Sequence, residues 1–367
     1  MAGTYLLLLL ARTDVLLPGH PNWTRPWDHQ KYLLMAEQPF ELRIAPFSWR
    51  VLGPLLSWVL PFPTTTSARV VGFVALWATA VAVFVLLRRL GFDDLAAGAG
   101  MLLLLTVGWA TGYLLYNFWL PDGLALLCVV VLAIAAVDRR PLLFAAVLVV
   151  GVLAKEQVLL AAPLWWSLTT ERLVDWRRLG QAALLAAPAV AVLVAVRLLL
   201  PAGNEDAAYL ASLPIDLNAY DTLPSDPVSL YEKFQPVRQG YPWLVAEWSV
   251  QVFGPLLLLA LAAPRRSLDV LLRWSPLVVL ALLQPLLASN THRLVVLAVP
   301  AVVVMATTGL DALRDRVGTA VLSAPAALLV LDLVAPRNTS RLLVEAAVLV
   351  AAIGIARVAG ADGRMDR

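Results

Sequence analysis

The chain has 367 residues, of which 60% are hydrophobic and only 14% charged, with a mean hydropathy of +0.79. Water-soluble domains carry about a quarter of their residues as charge, so composition argues against a soluble protein, and the single Cys128 excludes an intrachain disulfide or a cysteine metal cluster. The net charge of +3 says little by itself, because in such a chain the placement of the basic residues carries the information.

Apolar runs recur along the whole sequence, many near the 20 residues that cross about 30 Å of hydrocarbon. They are rich in Leu, Val and Ala and do not alternate, which predicts helices rather than barrel strands. Twelve spans are predicted, near 3–18, 68–87, 93–112, 120–137, 141–154, 156–169, 179–200, 243–263, 268–287, 293–310, 317–334 and 341–358. The first contains Arg12 and Asp14 and is short. It reads either as a signal sequence, though one without a basic leading region or a clear small-x-small cleavage site, or as a span whose start is truncated. The fifth and sixth are short enough to be one tilted helix instead of two crossings. With two crossings, Arg88-Arg89, Arg139-Arg140, Arg172 with Arg177-Arg178, Arg265-Arg266 and Arg314 with Arg316 all face one compartment. The positive-inside rule selects that topology and puts both termini in the cytoplasm.

The outer face then receives 19–67 as a first large loop and 201–242 as a second. In the first, Trp27-Asp28-His29-Gln30-Lys31-Tyr32 follows the opening span, and Asp28 and Tyr32 share a helix face at a spacing of four. A carboxylate just outside the membrane can serve as a general base; the plainer reading is an interfacial belt of Trp23, Trp27 and Tyr32. Arg43 and Arg50 can grip a phosphate through the guanidinium fork or simply anchor the interface. Asp122, after Pro121, opens the fourth span, where an acid also complements the helix dipole. Lys155-Glu156 lies between two apolar runs, either as a functional pair or as a self-neutralising tip, since ionisable groups at such depth are costly. The loop 201–242 carries Glu205, Asp206, Asp216, Asp221, Asp226 and Glu232 and is expected to hold a short helix around 231–234. His292-Arg293 opens the tenth span. A lone His is a poor metal site, whereas Arg293 is a candidate phosphate ligand with an interfacial anchor as its alternative. Asn22 and Asn338 begin glycosylation sequons to which no role is given. There is no Walker motif, no nucleic-acid patch and no internal repeat, which weighs against an ATP-driven pump and against transporters built from inverted repeats.

Four features in order resemble the GT-C superfamily of multi-span glycosyltransferases: Asp28 to Tyr32 after the first span, the run Arg50 to Leu55, Pro121-Asp122 opening a middle span, and Lys155-Glu156 between two short apolar runs. The resemblance covers the first half of the chain and continues beyond it only as a span pattern. It implies an all-α polytopic membrane protein, one membrane domain over 1–367, with a GT-C-like bundle of about 10–12 transmembrane helices. It also implies inverting transfer of a sugar from a polyprenyl-phosphate donor to a hydroxyl of a glycan, lipid or protein acceptor. Asp28 would be the base. Tyr32, Arg43, Arg50, Asp122, Lys155, Glu156, His292 and Arg293 would bind substrate, with Lys155 and Arg293 on the lipid phosphate and Glu156 orienting it. Many members carry two adjacent acids in the first outer loop, where this chain has Asp28-His29, so a second acid and a divalent metal stay open; no other cofactor is implied. Arg greatly outnumbers Lys, a coding bias that places the expected membrane in a bacterium, as its plasma membrane. The alternatives are a transporter or flippase of a lipid-linked sugar or another solute, and a non-catalytic scaffold.

Overall fold

A computed structural model describes residues 2–13, 15–25, 27–170, 175–218, 221–222, 241–284, 291–334, 344–351 and 353. Among them the chain is all-helical and contains no strand. The helix expected at 231–234 and the sequon at Asn338 lie outside the described residues.

In chain order the helices are α1 (Ala2–Arg12), α2 (Asp28–Glu37), α3 (Leu52–Trp58), α4 (Thr64–Arg89), α5 (Asp94–Thr106), α6 (Gly112–Tyr116), α7 (Asp122–Val137), α8 (Pro141–Ala154), α9 (Leu164–Thr169), α10 (Trp176–Leu199) and α11 (Ala207–Ser212). Then come α12 (Tyr241–Phe253), α13 (Pro255–Ala260), α14 (Pro264–Leu283), α15 (Thr291–Val295), α16 (Val299–Val317), α17 (Ala324–Val334) and α18 (344–351). Three helical stretches are long and apolar enough to cross a membrane: α4, α10 and the continuous run His292–Val317 formed by α15, a 3-10 turn and α16. They coincide with the predicted spans at 68–87, 179–200 and 293–310. The apolar helices α1, α5, α7 and α8, and the stretch Thr319–Leu333, have 10–17 residues.

Several expected spans are interrupted, each for a local reason. The run 156–169 is a 3-10 segment at Glu156–Ala161 followed by the short α9, because the chain turns extended at Lys155 and Pro163 precedes the new helix. The run 243–263 breaks at Gly254, whose positive φ of 44° separates α12 from α13. Elsewhere the boundaries follow sequence chemistry. Asp93 caps α5 by accepting from the Ala96 N–H at 2.8 Å. Pro141, Pro255 and Pro264 open α8, α13 and α14, where a missing N–H costs nothing. After α4, Gly91 adopts φ 96° and lets the Phe92 N–H return to the Leu87 carbonyl.

The core is built on α4 against α7, α7 against α8, and α16 against α5, α13 and α14. In its most apolar stretch the run ending in α16 is 83% buried, whereas α10 is 17% buried. The first is the central helix; the second presents Leu184, Leu198 and Leu199 outward. At about 1.5 Å per residue, α4 is roughly 39 Å long. Its last turn carries Arg88 and Arg89, paired with Asp94 and Asp138. Arg314 near the end of α16 meets Asp93 and Asp311. These ion pairs mark one end of the molecule; Asp28, Asp122, Lys155 and Arg293 mark the other.

Candidate functional site

α2 begins at Asp28, where a carboxylate complements the helix dipole, and one turn later presents Tyr32. α7 begins at Asp122, directly after Pro121. Arg50 follows the 3-10 turn Phe47–Trp49, Lys155 lies in the break between α8 and the next 3-10 turn, and Arg293 lies in α15. These segments are remote in sequence and meet at one place.

Arg293 joins two acids. Its Nη1 donates to Asp28 Oδ2 at 3.1 Å, and its Nε and Nη2 each lie 2.9 Å from Asp122 Oδ2. The other oxygen of Asp122 accepts from Lys155 Nζ at 2.7 Å. Arg50 grips Glu156 with both fork nitrogens, Nε at 2.9 Å from Oε2 and Nη2 on Oε1, while its Nη1 donates to Tyr32 Oη at 3.1 Å. Three carboxylates face three cations, so the cluster is formally neutral. Lys155 therefore pairs with Asp122 rather than with its neighbour Glu156. Lys155 and Asp122 are almost wholly buried, whereas the Asp28 side chain is 30% exposed, the most open of the three acids. Burial pushes the Tyr32 phenol up to about 12, with the Arg50 and Arg293 guanidiniums opposing. Tyr32 thus keeps its proton at neutral pH, and its oxygen accepts from Arg50 with the O–H left to donate.

Two of the expected site residues stand apart. Arg43 lies over the Tyr209 ring at 4.1 Å and 3.6 Å from Asp206, a contact with the segment around α11. His292 stacks on Trp109 at 4.6 Å between ring centres and pairs with Gln251. His29 turns away from the cluster as well. Its ring is wedged between Trp23 and Trp119 at 4.8 and 5.2 Å, its Nε2 bonds the Trp23 carbonyl, and burial lowers its pKa, keeping it neutral. Among the described residues no three His, Cys, Asp or Glu side chains gather to hold a metal ion; the acids of the cluster each meet a cation instead.

Beside Tyr32 runs a narrow cleft. Gly53, Ser57, Ala68, Gly72 and Leu124 are among its lining residues. One further ion pair was not anticipated. Lys31 Nζ lies 2.9 Å from Asp221 Oδ2, and both side chains are fully buried. The one available signal was Lys31 itself, a lysine in an Arg-rich chain one turn beyond Asp28.

No family profile, no curated protein and no solved structure matches this chain.

Proposed function

We propose that the protein is a multi-span membrane glycosyltransferase of the GT-C type, carrying a sugar from a polyprenyl-phosphate donor to an acceptor hydroxyl. In this reading the shorter apolar helices complete a bundle of about 10–12 crossings in a bacterial plasma membrane. The Arg-rich end lies in the cytoplasm with both termini, and the charged cluster lies at the outer face. The observation that carries the reading is the meeting of Asp28, Tyr32, Arg50, Asp122, Lys155, Glu156 and Arg293 at one end of the apolar helices.

Asp28, the most open carboxylate, takes the acceptor proton as the hydroxyl oxygen bonds to the anomeric carbon. The bond from that carbon to the phosphate oxygen breaks on the opposite side, and its electron pair leaves with the lipid phosphate. The configuration at carbon inverts. The departing phosphate gains charge, and preorganised cations stabilise that change. Lys155 uses one of its three N–H donors on Asp122, and Arg293 and Arg50 each retain donors beyond those spent on carboxylates. A phosphate can therefore be bound without evicting the acids that orient the cations. Tyr32 joins the two regions, its hydroxyl on Arg50 and its side chain at the cleft. A transporter would need polar groups along a path through the bundle, whereas α4, α7 and α16 are apolar between their charged ends.

The test is transfer by purified protein from lipid-phosphate sugars. Asp28→Asn is expected to lose at least about 10²-fold in turnover, with expression and donor binding retained. Full turnover by that variant would remove the base role. Absence of turnover by the parent with every such donor would favour the transporter.

A further inference from the structure

The proposed chemistry leaves the buried Lys31–Asp221 pair unused. Stability is a weak reason for it. Desolvating two ions costs several kcal/mol each, and an apolar pair of similar volume is often equally stable. An ion pair supplies direction instead, because a buried charge turned away from its counter-ion is costly.

The surroundings show what is being directed. Positions 28, 31 and 32 lie three and four apart and so share one face of α2. Each is gripped by a different part of the chain: Asp28 by Arg293, Tyr32 by Arg50 and Lys31 by Asp221. The Lys31 ammonium also lies 4.9 Å from the centre of the Phe47 ring, which meets Tyr32 edge-on at 5.6 Å. The segment that carries Asp221 is itself fastened along the same stretch. Asn204 clamps both backbone groups of Ala45 at 2.8 and 3.0 Å, Trp49 Nε1 donates to the Leu200 carbonyl at 3.0 Å, and the Asp216 N–H donates to Gln30 at 3.0 Å. Asp221 is tied to that segment by Asn218, whose N–H donates to Asp221 Oδ2 at 2.8 Å and whose carbonyl accepts from the Asp221 N–H at 3.0 Å, and the ten-residue helix is set against it.

We propose that Lys31 and Asp221 are positioning residues: the pair sets the roll of α2, and thereby the direction in which Asp28 presents its carboxylate to the acceptor. The proposal rests on the reading of Asp28 as the base, and the experiment separates the two.

The full-length protein carrying Lys31→Met with Asp221→Leu is compared with the parent. Both charges leave together, so melting close to the parent's is expected; should this variant not fold, Lys31→Gln with Asp221→Asn makes the same comparison. Two quantities are read. One is the rate at which a water-soluble carbodiimide couples glycinamide to Asp28, followed by peptide mass spectrometry. The other is transfer, separated into kcat and KM. A misdirected base is expected to change the Asp28 labelling rate about threefold or more and to lower kcat about tenfold or more, with the KM for lipid-phosphate sugar unchanged. An unchanged labelling rate overturns the proposal whatever the transfer activity. Changed labelling with parental kcat overturns it too. Changed labelling in a protein whose parent transfers nothing sinks the base reading and leaves the positioning of Asp28 standing.

Discussion

At the scale of single residues, Asp122 holds the charged cluster together. Its two oxygens accept from Lys155 and Arg293, both nearly excluded from solvent. Removing the carboxylate leaves the buried Lys155 without its anion and Arg293 with only the partly exposed Asp28. Asp122→Ala is therefore expected to cost about 3–5 kcal/mol, the usual penalty for breaking a buried ion pair on one side. Thermal unfolding in detergent reads this directly, and parental melting of Asp122→Ala would mean that water already compensates the cations. Asp28→Asn is expected to melt close to the parent, since Asp28 is partly hydrated and its amide oxygen still accepts from Arg293. The contrast separates an acid that binds the cluster from one that works at its edge. Much of this was legible beforehand, because ionisable groups next to long apolar runs are rare and costly enough to single out. Who pairs with whom was not. Lys155 sits beside Glu156 in sequence, yet its extended backbone sends the two side chains to different partners.

At the scale of helices, close approach decides what a position tolerates. A Cβ at Gly309 in α16 would fall 1.8 Å from the Leu259 carbonyl oxygen of α13, a backbone atom that cannot swing aside. Gly309→Ala is expected to destabilise by about 1–3 kcal/mol or more through overpacking. Gly180 in α10 has open space around its Cβ position, so Gly180→Ala is expected to stabilise by about 0.5–1 kcal/mol. Paired melting curves test both, and equal behaviour of the two variants would refute the α13–α16 contact. The cleft gives a functional counterpart. A Cβ at Gly53 meets only Leu124, at 3.7 Å, and a larger side chain there narrows the cleft. Gly53→Leu is expected to weaken use of a long polyprenyl donor roughly tenfold, the scale on which pockets respond to a few methylenes, and to affect a short-chain donor less. Equal loss with both donors would detach the cleft from the lipid. Proline starts and the Asp93 cap were visible in sequence because they are local. The break at Gly254 was not, since a hydropathy sum counts glycine as neutral and ignores its φ.

At the scale of the whole molecule, α4, α7 and the helix ending in α16 run from the charged cluster to a second set of ion pairs, with apolar lengths between. In a Cys128→Ala background, Glu205→Cys, exposed beside α11, is expected to react with an impermeant thiol reagent in intact cells. Arg140→Cys, exposed at the opposite end, is expected to stay unlabelled. The reverse pattern would invert the topology. Asn204 is unsuited to this experiment because its side chain is buried against Ala45.

The sequence by itself determined the helical class, the stretches apolar and long enough to cross a membrane, and the segregation of arginine clusters from the unusual acids. Each of these is a local sum over neighbouring residues, which hydropathy and charge placement report without knowledge of contacts. Tertiary structure alone decided that Asp28 meets Arg293, that Asp122 serves two cations, that Arg43 and His292 stand outside the cluster, and that Lys31 is buried against Asp221. Those outcomes depend on which helix ends pack together, and their partners lie as many as 265 positions apart. A single sequence carries no trace of such pairings, because burial fixes the partner of a charge only after the helices have docked.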